Sequence, residues 1–237
     1  MNRLAVFDID GTLTDTNGVD NDCYRSAVAE ALALPEDSID WAGAAHVTDA
    51  GIFAWLCAAH GRDGVATSAL AHAREHFFVR LAAALERSPD RFSAISGAPA
   101  AMRRLTTSGW FVAFATGGWG PSAKMKLRAA DIDVNEAVLA CADDAVARAD
   151  IVRLAIDRAQ HHYKVAAFDR VVVLGDAPWD VRTAIELDLP FIGIGKGERA
   201  ERLRHHGARA VLSDYTDFGA FRNALEVALP PAAALGE

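Results

Sequence analysis

The sequence predicts an α/β fold, a doubly wound parallel sheet with a helical segment inserted after the first strand. Three observations predict it. Short apolar runs of strand length recur along the chain, segments of helical period separate them, and one stretch from about Asn17 to Ser96 carries helical period alone. Strands alternating with helices imply a parallel sheet covered on both faces.

The first run, Leu4 to Phe7, lacks polar alternation and is too short for a helix, so it reads as a strand buried on both faces. Further strands are expected at Trp110 to Ala115, Val138 to Cys141, Val171 to Leu174, Phe191 to Ile194 and Ala210 to Leu212. Helices are expected at Pro99 to Leu105, Ser122 to Ala130, Ala149 to Ala159, Val181 to Leu187, Glu201 to His206 and Phe218 to Leu229. Within the insert, Tyr24, Ala27, Val28, Ala31 and Leu32 follow helical spacing, as do Leu70, Ala73, Phe77, Leu81 and Leu85. Ile52, Phe53 and Leu56 mark a helix between them, ended near Gly61. The expected division is residues 1–16 and 97–237 for the sheet domain and 17–96 for a helical cap. Right-handed crossovers then bring every strand C-terminus to one edge, where open α/β sheets bind ligands.

Composition narrows the function classes. The 237 residues are 51 % hydrophobic and 24 % charged, ordinary for a globular protein. A formal net charge of −8 argues against a nucleic-acid partner, whose phosphates reward clustered Lys and Arg. No apolar run reaches membrane-span length, and the run before Asp8 is too short for a signal peptide. Cys23, Cys57 and Cys141 form neither a disulfide framework nor a zinc spacing, which fits a reduced cytoplasm.

The chemistry gathers at predicted strand ends. Asp8 and Asp10, two residues apart and followed by Gly11, can both turn toward one site. Thr116, Gly117 and Gly118 follow the strand ending at Ala115, and offer a hydroxyl with unobstructed backbone N–H groups for an anionic oxygen. Arg148 precedes the helix from Ala149, and Asp176 and Asp180 follow the strand ending at Leu174. Carboxylates gathered in this way repel one another unless a cation neutralises them, and Mg²⁺ with oxygen ligands is the natural solution.

The elements Asp8-Ile9-Asp10-Gly11-Thr12-Leu13, Thr116-Gly117-Gly118 and Gly175-Asp176-Ala177-Pro178-Trp179-Asp180, in this order, resemble the haloacid dehalogenase-like hydrolases, and within them phosphoglycolate phosphatase-like members. The resemblance covers nearly the whole chain. It implies a Rossmann-like core with a helical cap, and hydrolysis of a small phosphomonoester in the presence of Mg²⁺. By the same resemblance, Asp8 attacks phosphorus, and Asp10 protonates the leaving group and then activates water. Thr116 and the Gly117 N–H hold phosphoryl oxygens, and Arg148 offsets negative charge. The metal set it implies is Asp8, Asp10 (through its carbonyl group), Asp176 and Asp180. One departure is visible: the cationic position of the family is most often Lys, frequently followed by Pro, whereas here Arg148 is followed by Ala149. Lys124 and Lys126 are rivals for that role.

Asp20, His46, Thr48 and Asp49 of the cap are candidates to face substrate, and Trp119 and Trp179 to line the site mouth. His72 and His76, four apart, read as a surface helix face. Three rival functions use the same fold. A sugar-phosphate mutase would keep the site, a dehalogenase would have no use for Asp176 and Asp180, and a non-catalytic phosphate-accepting module would not need Asp10.

Overall fold

The computed structural model describes residues 1–134 and 137–232. Six parallel strands form one sheet in the order β3-β2-β1-β4-β5-β6. They are β1 (Arg3–Phe7), β2 (Trp110–Ala115), β3 (Leu139–Ala140), β4 (Arg170–Gly175), β5 (Phe191–Ile194) and β6 (Val211–Leu212). β1 is central: Phe7 pairs with Phe114 on one side and with Leu174 on the other. Strand order reverses at β1, so the crevice of the sheet opens at its carboxyl end, just where Asp8 follows.

Alternate β1 residues serve opposite faces, as the pleat requires. Ala5 and Phe7 pack with residues of α4 (Ala98–Thr107), α5 (Gly120–Ala129) and α9 (Phe218–Val227). Leu4 and Val6 pack against α6 (Arg148–Tyr163), α7 (Pro178–Glu186) and α8 (Gly197–His205). Burial on both sides explains why these strands read as unbroken apolar runs.

Between β1 and α4 lies the helical insert, with α1 (Asn17–Leu32), α2 (Asp49–Ala59) and α3 (Ala66–Arg87). It has its own apolar core, in which Tyr24, Val28, Phe53, Leu56, Phe77 and Leu81 meet. Trp119 also belongs to this core. It is fully buried against Tyr24, Phe77 and Phe78, although it comes from the loop after β2. The expectation that Trp119 lines the site mouth therefore fails; the insert supplies an aromatic nest that buries more of the ring than the mouth could. No described helix is long and apolar enough to cross a membrane.

Candidate active site

The turn after β1 sets the site. Asp8 N–H still donates to Leu174 O at 3.0 Å, as the last rung beside β4. The chain then reverses: Ile9 O accepts from Thr12, Leu13 and Thr14 N–H at 3.2, 2.8 and 3.0 Å. Gly11 makes the reversal at φ +76°, and a Cβ there would stand 2.0 Å from Asp176 Oδ2 and 2.3 Å from Asn17 Nδ2. Only glycine meets both demands.

Three buried carboxylates converge at this edge. Asp8, Asp176 and Asp180 each present an oxygen, and the three oxygens lie within 4.8 Å of one another. Asp180 lies in the first turn of α7, where the N–H of Ala177, the residue before the helix, donates to Asp180 Oδ2 at 3.1 Å. Asp176 Oδ2 accepts from Asn17 Nδ2 at 3.0 Å and faces Arg199 Nη1 at 3.2 Å. Burial, then the Asp180 charge, pushes the Asp176 pKa up to about 7. Burial and the Asp180 charge likewise raise the Asp8 pKa well above the usual range, against the pull of Arg148. Such a set is short of positive charge, and its donors are all hard oxygens, so a hard divalent cation fits it.

Arg148 opens α6 and crosses to the same edge. Its Nη1 lies 2.7 Å from Asp180 Oδ1 and 3.6 Å from Asp8 Oδ1. Its Nε donates to Val47 O in the insert at 2.9 Å, and its guanidinium covers the Trp179 ring at 5.5 Å. A Cβ on Gly117 would meet Arg148 Nη2 at 2.6 Å, so the missing side chain admits the guanidinium. Thr116 is buried beside it, its hydroxyl accepting from Gly118 N–H at 3.2 Å. Of the rival cations, Lys124 is exposed. Lys126 is buried but pairs with Asp10 and Asp20, so Arg148 is the cation nearest Asp8 among these three.

Asp10 shares the cavity with Asp8, but its carboxylate stands outside the cluster of three. Its Oδ1 accepts from Thr16 Oγ1 at 2.5 Å and its Oδ2 from Lys126 Nζ at 2.5 Å. Asp20, Thr48, Asp49 and Trp179 also line this cavity of about 400 Å³; His46 is exposed and does not. The insert and the sheet domain are tied around it. Asp49 N–H donates to Gly117 O at 2.8 Å, Trp119 N–H to Asp49 Oδ2 at 2.8 Å, and Thr48 Oγ1 to Val146 O at 2.9 Å.

Sequence reasoning missed Asn17 and Arg199, and offered Lys126 only as a rival to Arg148, not as the partner of Asp10 and Asp20. Position 126 carried a usable signal. Positions 119, 122, 123, 126, 127 and 130 form a helical stripe that is otherwise Trp, Ser, Ala, Leu and Ala, and a lysine there needs a buried partner.

The sequence model of the haloacid dehalogenase-like hydrolases matches residues 3–188. Among curated proteins no sequence matches. Among solved structures the chain is similar to a hydrolase from Pseudomonas syringae, at 22 % identity and a TM-score of 0.69, over 94 % of this chain and 98 % of that one. It is also similar to a predicted phosphatase from Clostridium acetobutylicum, at 19 % identity and 0.63, over 96 % and 100 %. A third is CbbY from Rhodobacter sphaeroides in complex with phosphate, at 20 % identity and 0.58, over 92 % and 97 %.

Proposed function

Because the chain belongs to the haloacid dehalogenase-like hydrolase family, we propose that it is a magnesium-dependent phosphatase that hydrolyses a small phosphomonoester through an aspartyl-phosphate on Asp8. The observation that carries this reading is the convergence of Asp8, Asp176 and Asp180 beside Arg148 at the carboxyl edge of the sheet. A dehalogenase would need no such cluster of hard oxygen ligands. The solved complex of CbbY with phosphate, a protein of the same fold, lends support.

Asp8, Asp176 and Asp180, with the carbonyl group of Asp10, would hold Mg²⁺. When bound, the ion supplies positive charge that offsets the phosphoryl oxygens and the carboxylates around them.

An Asp8 carboxylate oxygen attacks phosphorus, and the bond from phosphorus to the leaving alkoxide breaks. Asp10 gives that alkoxide a proton. Water then attacks the phosphorus of the aspartyl-phosphate while Asp10 takes a proton from it, and Asp8 is freed with inorganic phosphate. Thr116 Oγ1 and the Gly117 N–H bind phosphoryl oxygens, and Arg148 balances their charge. Residues 17–96 act as the cap, excluding water and shaping a cavity suited to a small metabolite in the cytoplasm. A screen of metabolite phosphates with and without Mg²⁺ tests the reading. Phosphate release that chelation abolishes is expected; a panel with no magnesium-stimulated turnover would defeat it.

A further inference from the structure

Lys126 is wholly buried on α5, in a helix face otherwise made of uncharged side chains. A buried ammonium is costly unless it is paired and hydrogen-bonded. Its Nζ lies 2.5 Å from Asp10 Oδ2 and 2.7 Å from Asp20 Oδ1. Asp10 belongs to the turn after β1, whereas Asp20 belongs to α1 of the insert. The other oxygen of Asp10 accepts from Thr16, the residue immediately before α1. Both oxygens of Asp10 are therefore fixed by groups that touch or adjoin the insert. Lys126 is not the cation of the nucleophile, a place that Arg148 takes. The Glu30, His72 and His76 group on the insert carries less, because Arg80 already pairs with Glu30 at 2.5 Å and lies 3.3 Å from His76 Nδ1.

We propose that Lys126 is a positioning residue for the reaction: by holding Asp10 Oδ2 it leaves Oδ1 as the oxygen that carries the proton and keeps that oxygen in one direction, and through Asp20 it ties that direction to the seating of α1. The proposal rests on the phosphatase reading above. A lysine that merely filled space would affect all substrates alike. One that aims the proton donor matters in proportion to how badly the leaving group needs a proton.

The test is kcat/KM for the wild type, Lys126→Met and Asp20→Asn over phosphate monoesters of graded leaving group, from 2,4-dinitrophenyl to simple alkyl, with Mg²⁺. Because kcat/KM ends at departure of the leaving group, it reads the proton-donating step and not the later attack of water. Lys126→Met is expected to lose on the order of 100-fold on the alkyl esters and less than about 10-fold on the dinitrophenyl ester. Asp20→Asn is expected to tilt the series the same way by a smaller factor. Near-isosteric with the original, it decides alone if Lys126→Met does not fold. Equal losses across the series, or no loss, overturn the proposal. Absence of turnover by the wild type would instead overturn the phosphatase reading, and the proposal with it.

Discussion

Asp176 is buried between Asp180 and the turn at Gly11, and burial first, then the Asp180 charge, pushes its pKa from the ordinary 3.8 up to about 7. Asp20 is raised to about 6 by burial, in spite of Lys126. An acid whose folded pKa is raised keeps its proton in the folded chain after the unfolded chain has lost it. Stability therefore falls as pH rises from the unfolded value through the folded one. Without divalent cation, the melting temperature is expected to drop by several degrees between about pH 4.5 and about pH 7.5. Added Mg²⁺ should restore more at the higher pH, where the carboxylates are free to bind it. A flat metal-free profile would contradict the burial of these acids. Asp176→Asn should raise the Mg²⁺ concentration needed for half-maximal activity by about 10-fold or more, as loss of a charged ligand does; an unchanged titration midpoint would remove Asp176 from the ligand set. That Asp8, Asp176 and Asp180 gather at one edge was legible because each follows a short apolar run that ends at the sheet's carboxyl edge, whereas Arg148, eight residues past β3, was given its role only through the family resemblance. Asn17 and Arg199 were not legible, since only the folded chain brings them to Asp176. Arg199 lies in the first turn of α8, a polar run with no apolar period to mark where the helix begins.

At the scale of elements, the strands were the clearest features. β2 and β5 have the bounds their apolar runs predict, because burial on both faces writes itself directly into composition. Helix ends were less legible. α6 starts at Arg148 and runs on to Tyr163, past the expected end at Ala159, through residues whose polarity hides the period. Trp119 shows where local reading stops: its neighbours Tyr24, Phe77 and Phe78 all come from the insert, far away in sequence. It acts as a peg from the loop after β2 into the core of the helical insert. Trp119→Ala should cost about 3–5 kcal/mol of stability, the usual range for truncating a large buried aromatic. Urea unfolding measures it, and a loss under about 1 kcal/mol would mean that the insert closes over the gap or that the peg bears little of the docking.

Over the whole molecule, the chain leaves the sheet after β1 and returns at α4, a division visible in the sequence as a loss of strand signals from about Asn17 to Ser96. What composition could not show is how tightly the two parts are joined. Trp119 and Ala142 of the sheet domain lie in the apolar core of the insert, and Lys126 bridges to Asp20. Calorimetry is therefore expected to give one cooperative transition; two well-separated ones would contradict the shared core. The proposed reaction turns on Asp8 taking the phosphoryl group. The direct measurement mixes the enzyme with Mg²⁺ and an ester it hydrolyses, quenches in acid, reduces with borohydride and maps the peptides by mass spectrometry. The prediction is substrate-dependent conversion of Asp8 to homoserine, absent from Asp8→Asn, which also releases no phosphate. Conversion at a different carboxylate, or undiminished phosphate release by Asp8→Asn, would contradict it.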